Sequence, residues 1–300
     1  MVLEGGPVRG VTIAALVAMT IFGGSLAAQE WDGHKNAKGW CRLDFIDGTG
    51  TFYDAAARRL YQWAPGAGTL KTVNAVNMDM SPDRWMIDGD NVWLVVGATL
   101  KKYRATGELE DDYKLPAEVA DLELVPQDGF YLSYKTLTPY VEKRSLKNGS
   151  VVWSHGDKPR RNETTSRILH RITANGDRNI ILASGDGLFV DVLDNKKGNS
   201  LGQTYFTYQD KEPPALKLEQ RDRPPLVWWF GQGVAFQALP ASAVPSLGLQ
   251  GTVLARLDFS ASAVEFLPTP FSEGHLLVGV QEDRAVFVGP NGGMAFVPIR

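Results

Sequence analysis

Two stretches of this 300-residue chain are written in nearly the same words. Asp121-Leu-Glu-Leu-Val-Pro-Gln-Asp-Gly-Phe-Tyr-Leu-Ser133 lies without a gap on Arg42-Leu-Asp-Phe-Ile-Asp-Gly-Thr-Gly-Thr-Phe-Tyr-Asp54. Each reads as a short alternating strand, a glycine turn and a second apolar strand, with a polar glycine turn and a third strand to follow. Turn glycines at 66/68, 107, 149 and 198 keep a spacing of about 41 to 49 residues. A unit of that length with several short strands cannot bury its own apolar faces, so successive units must stack on one another.

The units can be followed along the chain. The first runs from Arg42 to about Val76, the second from about Asp79 to Pro116 and the third from Ala120 to His155. In the third, Asn148-Gly149 predicts a tight hairpin with positive φ at both turn positions. The fourth runs from Ile168 to about Tyr208 and the sixth starts near Phe271. The fifth is stretched, from Leu216 to Pro268; Leu226–Phe230 and Val253–Phe259 are its clearest strands, with an insertion between them. Such a series predicts an all-β fold, a β-propeller, with six blades of about four strands as the best count. The last unit shows only three strands before Arg300, so a strand from Glu30–Phe45 is expected to close the ring and shield its open edge. That use competes with placing Arg42–Ile46 in the first blade. The fallback is a β-sandwich or an irregular barrel.

Residues 1–28 read as an export signal. Arg9 supplies positive charge, Val11–Phe22 is an apolar run, and Gly23-Gly24-Ser25-Leu26-Ala27-Ala28 ends it with small residues. The uncharged span from Val11 to Ala28 is also just long enough to anchor the chain in a bilayer. Either reading sends residues 29–300, a single propeller domain, out of the cytoplasm to the periplasm or beyond. Cys41 is the single cysteine, so no intrachain disulfide forms and the domain stands on its core. A net charge of −3 provides no basic footprint for nucleic acid, and contact with a membrane is expected only through the N-terminal segment.

The phrasing of Leu100-Lys-Lys-Tyr-Arg-Ala-Thr-Gly-Glu108, Leu115-Pro116, Ala120-Asp121-Leu122 and Asp128-Gly129-Phe130 resembles the six-bladed propellers of the NHL and TolB-like groups. The resemblance covers roughly residues 40 to 300 and implies fold and little else, since propellers host binding, scaffolding, hydrolysis and redox chemistry. Trp-Asp repeats with Gly-His partners are absent, as are regular Trp-Gly dipeptides.

Candidate chemistry is sparse. The polar residues of the expected inner strands are Asp44, Arg84, Asp88, Asp121, Glu123, Arg171, Lys217 and Glu219. Mixed signs favour structural ion pairs; the alternative is a Ca²⁺ site of the propeller-lactonase kind, with Asp121, Glu123 and Glu219 as ligands. The four histidines are scattered; His170, on an expected inner strand, reads as a satisfied core histidine. Gly-x-Ser-x-Gly elbows and phosphate-binding loops are absent. Trp228 and Trp229 are adjacent in a strand and must point to opposite faces, which leaves one free to act as a binding platform. Two loops break the rhythm: the basic His155–Arg167, and Ala238–Gly251, which carries Leu239, Val244 and Leu247 and no charge. A long apolar loop needs a cover, either as a plug over the channel or against another chain. The leading expectation is therefore a non-catalytic exported module, without a cofactor, that binds a protein, peptide or glycan through Trp228, Trp229, Leu239, Val244 and Leu247.

Overall fold

The computed structural model describes residues 42–44, 49–54, 59–63, 70–72, 82–159, 170–175, 179–183, 189–217, 226–229, 232–281, 283–289 and 294–299. The export signal, Cys41 and Glu219 lie outside them. Each sheet is an antiparallel meander of consecutive strands. Blade 1 holds β1 (Arg42–Asp44), β2 (Thr49–Asp54), β3 (Arg59–Trp63) and β4 (Leu70–Thr72). Blade 2 holds β5 (Arg84–Asp88), β6 (Asn91–Val96), β7 (Thr99–Arg104) and β8 (Leu109–Lys114). Blade 3 holds β9 (Val119–Val125), β10 (Gly129–Tyr134), β11 (Val141–Arg144) and β12 (Val151–His155). Blade 4 holds β13 (Arg171–Asn175), β14 (Asn179–Ala183), β15 (Phe189–Asp194) and β16 (Ser200–Tyr205). Blade 5 holds β17 (Leu226–Trp229), β18 (Val234–Pro240), β19 (Thr252–Asp258) and β20 (Ala263–Pro268). The last sheet holds β21 (Leu276–Gln281), β22 (Arg284–Val288) and β23 (Met294–Pro298).

The expected six four-stranded blades are thus corrected to five, followed by a three-stranded sheet. The innermost strands lie side by side in the order β5, β9, β13, β17, β21, and β21 meets β1, so the first and last sheets come together. Arg42–Asp44 serves blade 1, paired with β2. A fourth strand for the last sheet from residues before Arg42 lies outside the described residues.

The apolar core is divided among the gaps between sheets. Trp93 and Leu100 of blade 2 pack with Phe130, Leu132 and Tyr134 of blade 3. Tyr131 and Trp153 of blade 3 pack with Ile180 and Leu193 of blade 4. Ile181 and Val190 meet Leu239 and Leu257 of blade 5, and Phe236 and Ala238 meet Phe287 and Leu277 of the last sheet. Alternate residues of one strand therefore serve opposite gaps. Every residue of β10 is buried for that reason, so apolar and polar positions do not alternate along it as they would in a sheet with one wet face.

The recurring glycines close a shared loop form. In blade 3 the Gly149 N–H donates to Ser145 O (2.8 Å) and the Ser145 N–H to Ser150 O (3.0 Å). Blade 4 repeats this from Gly198 to Asp194 O and from Asp194 to Asn199 O, both 2.8 Å. Gly149 has φ 64° and Asn148 is not among the positive-φ residues, so the expected two-residue turn is corrected to a longer loop that needs one left-handed position. A Cβ on Gly198 would lie 2.4 Å from Trp153 of the preceding blade, so the glycine also admits that ring.

Blade 5 departs from the pattern twice. Phe206–Lys211, after β16, wraps onto the outer edge of β20: the Thr207 N–H donates to Ser262 O and the Val264 N–H to Thr207 O, both 2.8 Å. Phe206 and Tyr208 peg this strap against Phe259 and Phe266. The insertion is also shorter than expected, because Ala238–Pro240 complete β18 and only residues 241–251 form the loop.

Candidate interaction face

In an antiparallel meander the second-to-third-strand loop and the connector to the next blade leave the sheet at the same end. The 241–251 loop and residues 269–275 therefore share one face of the molecule, and Lys217, on the connector before β17, reaches it. The insertion folds as two short 3₁₀ turns, Ala241–Ala243 and Pro245–Leu247, ended by Gly248 at φ 63°. Its neck is closed by the Ala241 N–H donating to Gly251 O (2.7 Å), and the Lys217 N–H donates to Ala243 O (2.8 Å).

The connector after β20 is stitched to this loop. The Thr252 N–H donates to Phe271 O (2.9 Å), its hydroxyl to Ser272 O (2.6 Å), and the Ser242 N–H to Glu273 Oε1 (3.2 Å). Gly251, at φ +69°, is required here, since a Cβ would sit 2.1 Å from Phe271 O. Phe271 stacks on His275 at 4.7 Å and packs on Phe287 below. Between loop and connector lies an open groove of about 830 Å³, walled by Pro245, Leu249, Gln250, Phe271 and Glu273. Its walls mix backbone amides, hydroxyls and apolar surface, which suits a polar chain with occasional apolar groups rather than a charged small molecule.

The expected contact residues divide. Leu239 and Val244 are fully buried and Leu247 is partly buried, so the first two hold the insertion down on blade 5 and offer nothing to a partner. The cover that an uncharged loop requires is supplied from within the blade. Trp228 and Trp229 pair with Ala235 and Val234 on adjacent positions of β17; their side chains lie outside the described residues. The second wall of the groove, residues 269–273, was missed because Thr-Pro-Phe-Ser-Glu reads as an ordinary link between blades.

The polar inner strands form a lattice of backbone contacts. Asp121 accepts from the Ile172 N–H (3.2 Å) and the Leu122 N–H (3.0 Å). Arg84 and Arg171, from the strands on either side, both donate to Ala120 O, at 2.8 and 3.1 Å. His170 is buried with Nε2 2.8 Å from Thr136 O, as a core histidine would be. Glu123 shares the strand face of Asp121. Among the described residues no three His, Cys, Asp or Glu side chains are grouped as a metal site would need.

Two buried polar clusters lie between blades. Glu142 is buried and accepts from Arg144 (2.6 and 2.9 Å), the Tyr134 hydroxyl (2.5 Å) and the Tyr140 hydroxyl (3.0 Å). Burial, with the Glu142 carboxylate beside it, pushes Tyr140 up to about 12 and keeps it a donor. Asp128 accepts from Lys143 (2.8 Å), Tyr131 (2.7 Å) and Asn195 (3.0 Å). Burial alone would raise its carboxyl, but these donors outweigh that and hold it below the ordinary value. Both clusters are satisfied internally, and their chemistry is cohesion.

No family model matches the chain and no curated protein does; membership of the NHL or TolB-like groups is not shown. Solved structures do match. The WD40 domain of Pan2 from Neurospora crassa is 11% identical, with 89% of this chain and 77% of that one covered at a TM-score of 0.51. A calcium-binding protein, regucalcin, from Agrobacterium tumefaciens is 14% identical, with 86% and 88% covered at 0.51. A candidate exported protein from Bacteroides fragilis is 9% identical, with 87% and 82% covered at 0.53. The fold is a β-propeller. Identities this low carry the architecture alone. Among the described residues no helix is long and apolar enough to cross a membrane.

Proposed function

We propose that this propeller is an exported, non-catalytic binding module that captures an extended protein, peptide or glycan segment in the groove between the 241–251 loop and the 269–273 connector. The observation that carries this reading is the rigid, doubly stitched insertion, whose apolar side chains are directed inward while Ser242, Pro245 and Gln250 stay exposed along an open trough. Preorganised walls lower the ordering cost of binding, which favours capture of a flexible chain. The polar residues inside the ring and between blades serve cohesion, which gives a hydrolytic Ca²⁺ reading little support from Asp121.

The test is a screen of peptide and glycan arrays with the wild type and with Ser242→Arg and Gln250→Arg, which fill the trough from exposed positions. Ligands whose signal drops at least about tenfold (1.4 kcal/mol) with both substitutions support the groove. Ligands retained by both variants place recognition elsewhere.

A further inference from the structure

An outer strand exposes a row of unpaired amides and carbonyls to any strand that can pair with it, and proteins guard such edges with charge or with a cover. Two rim strands of this propeller show those guards. In β8, Leu-Glu-Asp-Asp-Tyr-Lys, four of the six residues are charged. The edge of β20 is covered by the strap at Thr207. β16, Ser-Leu-Gly-Gln-Thr-Tyr, has neither guard: it contains no charge and no proline. Among the described residues nothing pairs with its outer side. Leu201 and Tyr205 are 59% and 66% exposed, and a Cβ on Gly202 would meet nothing within 4 Å.

We infer that the β16 edge docks on the β16 edge of a second copy of this chain, joining two blades into one continuous antiparallel sheet. Charge complementarity selects that occupant. Antiparallel pairing about the centre of β16 sets Ser200 opposite the second copy's Tyr205, Leu201 opposite its Thr204 and Gly202 opposite its Gln203. No like charges meet, and glycine at the centre lets the backbones approach. The same operation on β8 would set Asp111 opposite a second Asp112, which repels. On blade 3, β12 exposes Val151 and Val152, but it ends on His155, whose Nδ1 is tied to Gly198 O at 2.9 Å. One six-residue strand pair is small for an interface, so the dimer forms reversibly at micromolar concentration. This surface lies on the rim, away from the insertion face, and is tested separately from the groove.

Sedimentation velocity on the full chain is expected to show a monomer–dimer equilibrium over a micromolar concentration series. Leu201→Lys and Thr204→Glu each abolish the dimer. An equimolar mixture of the two variants restores it, because the introduced ammonium of one copy then faces the introduced carboxylate of the other across the strand pair. Hydrogen exchange of the Ser200–Tyr205 amides slows as wild-type concentration rises. A wild type that stays monomeric throughout, a dimer that survives Leu201→Lys, or exchange at β16 that does not change with concentration would overturn the inference. So would a mixture that stays monomeric although both variants melt like the wild type.

Discussion

Gly251 and Glu142 show how single positions carry this fold. Gly251 combines a left-handed backbone with a backbone oxygen where a side chain would begin. Gly251→Ala should therefore cost about 1–3 kcal/mol, read as a lowered denaturation midpoint, and should loosen the groove wall at Phe271. Glu142 is harder to replace. Glu142→Gln keeps the shape but leaves Arg144 buried without its counter-charge, a loss of about 3–5 kcal/mol in chemical denaturation. Neither effect could be read in advance. The sequence marks Gly251 as one more glycine, and Glu142 lies in a strand whose burial depends on the neighbouring blade.

At the level of elements, the gap between blades 3 and 4 is sensitive to acid. The folded Asp128 carboxyl titrates below its unfolded value. Its stabilisation is whole above the ordinary Asp range, about 3.9, and is lost as pH falls through the lower folded value. Melting temperature should fall over that acid window, and Asp128→Asn should flatten the fall while lowering the plateau at neutral pH. A wild-type melting temperature that does not change there would remove Asp128 from the account. The strap makes a second prediction. Thr207→Pro deletes the amide that bonds Ser262 O, exposing the β20 edge, and should raise aggregation on mild heating as measured by light scattering. The strap was not legible because Phe206-Thr-Tyr208 reads as the end of blade 4. Its partner, Ser262, is 55 residues further on. The inner hairpins were legible: the gapless match of residues 42–54 with 121–133 falls on β1–β2 and β9–β10, the same two positions of their blades.

For the whole molecule, the repeat was legible because every blade solves one packing problem, and the glycine loops mark where a neighbour's ring must fit. The blade count was less so, since the ends of the chain carry no rhythm of their own. The candidate site was half legible: an uncharged loop is visible in any sequence, whereas the wall it leans on is set by tertiary contact. Trp93 faces Lys102, and Tyr131 faces Lys143, at the same place in two successive blades. In both pairs the ammonium lies 5.6 Å from the ring centre. Each lysine then reaches forward, Lys102 to Lys147 O and Lys143 to Asn195 O. The acceptors lie 45 and 52 residues downstream. As the chain leaves the ribosome, each finished blade therefore holds a half-sheltered cation whose acceptor has yet to be synthesised. A fragment cut cleanly after blade 2 or blade 3 would lack that acceptor, so shortened versions of this protein should be sought inside a blade's outer hairpin rather than at the boundaries that the repeat suggests.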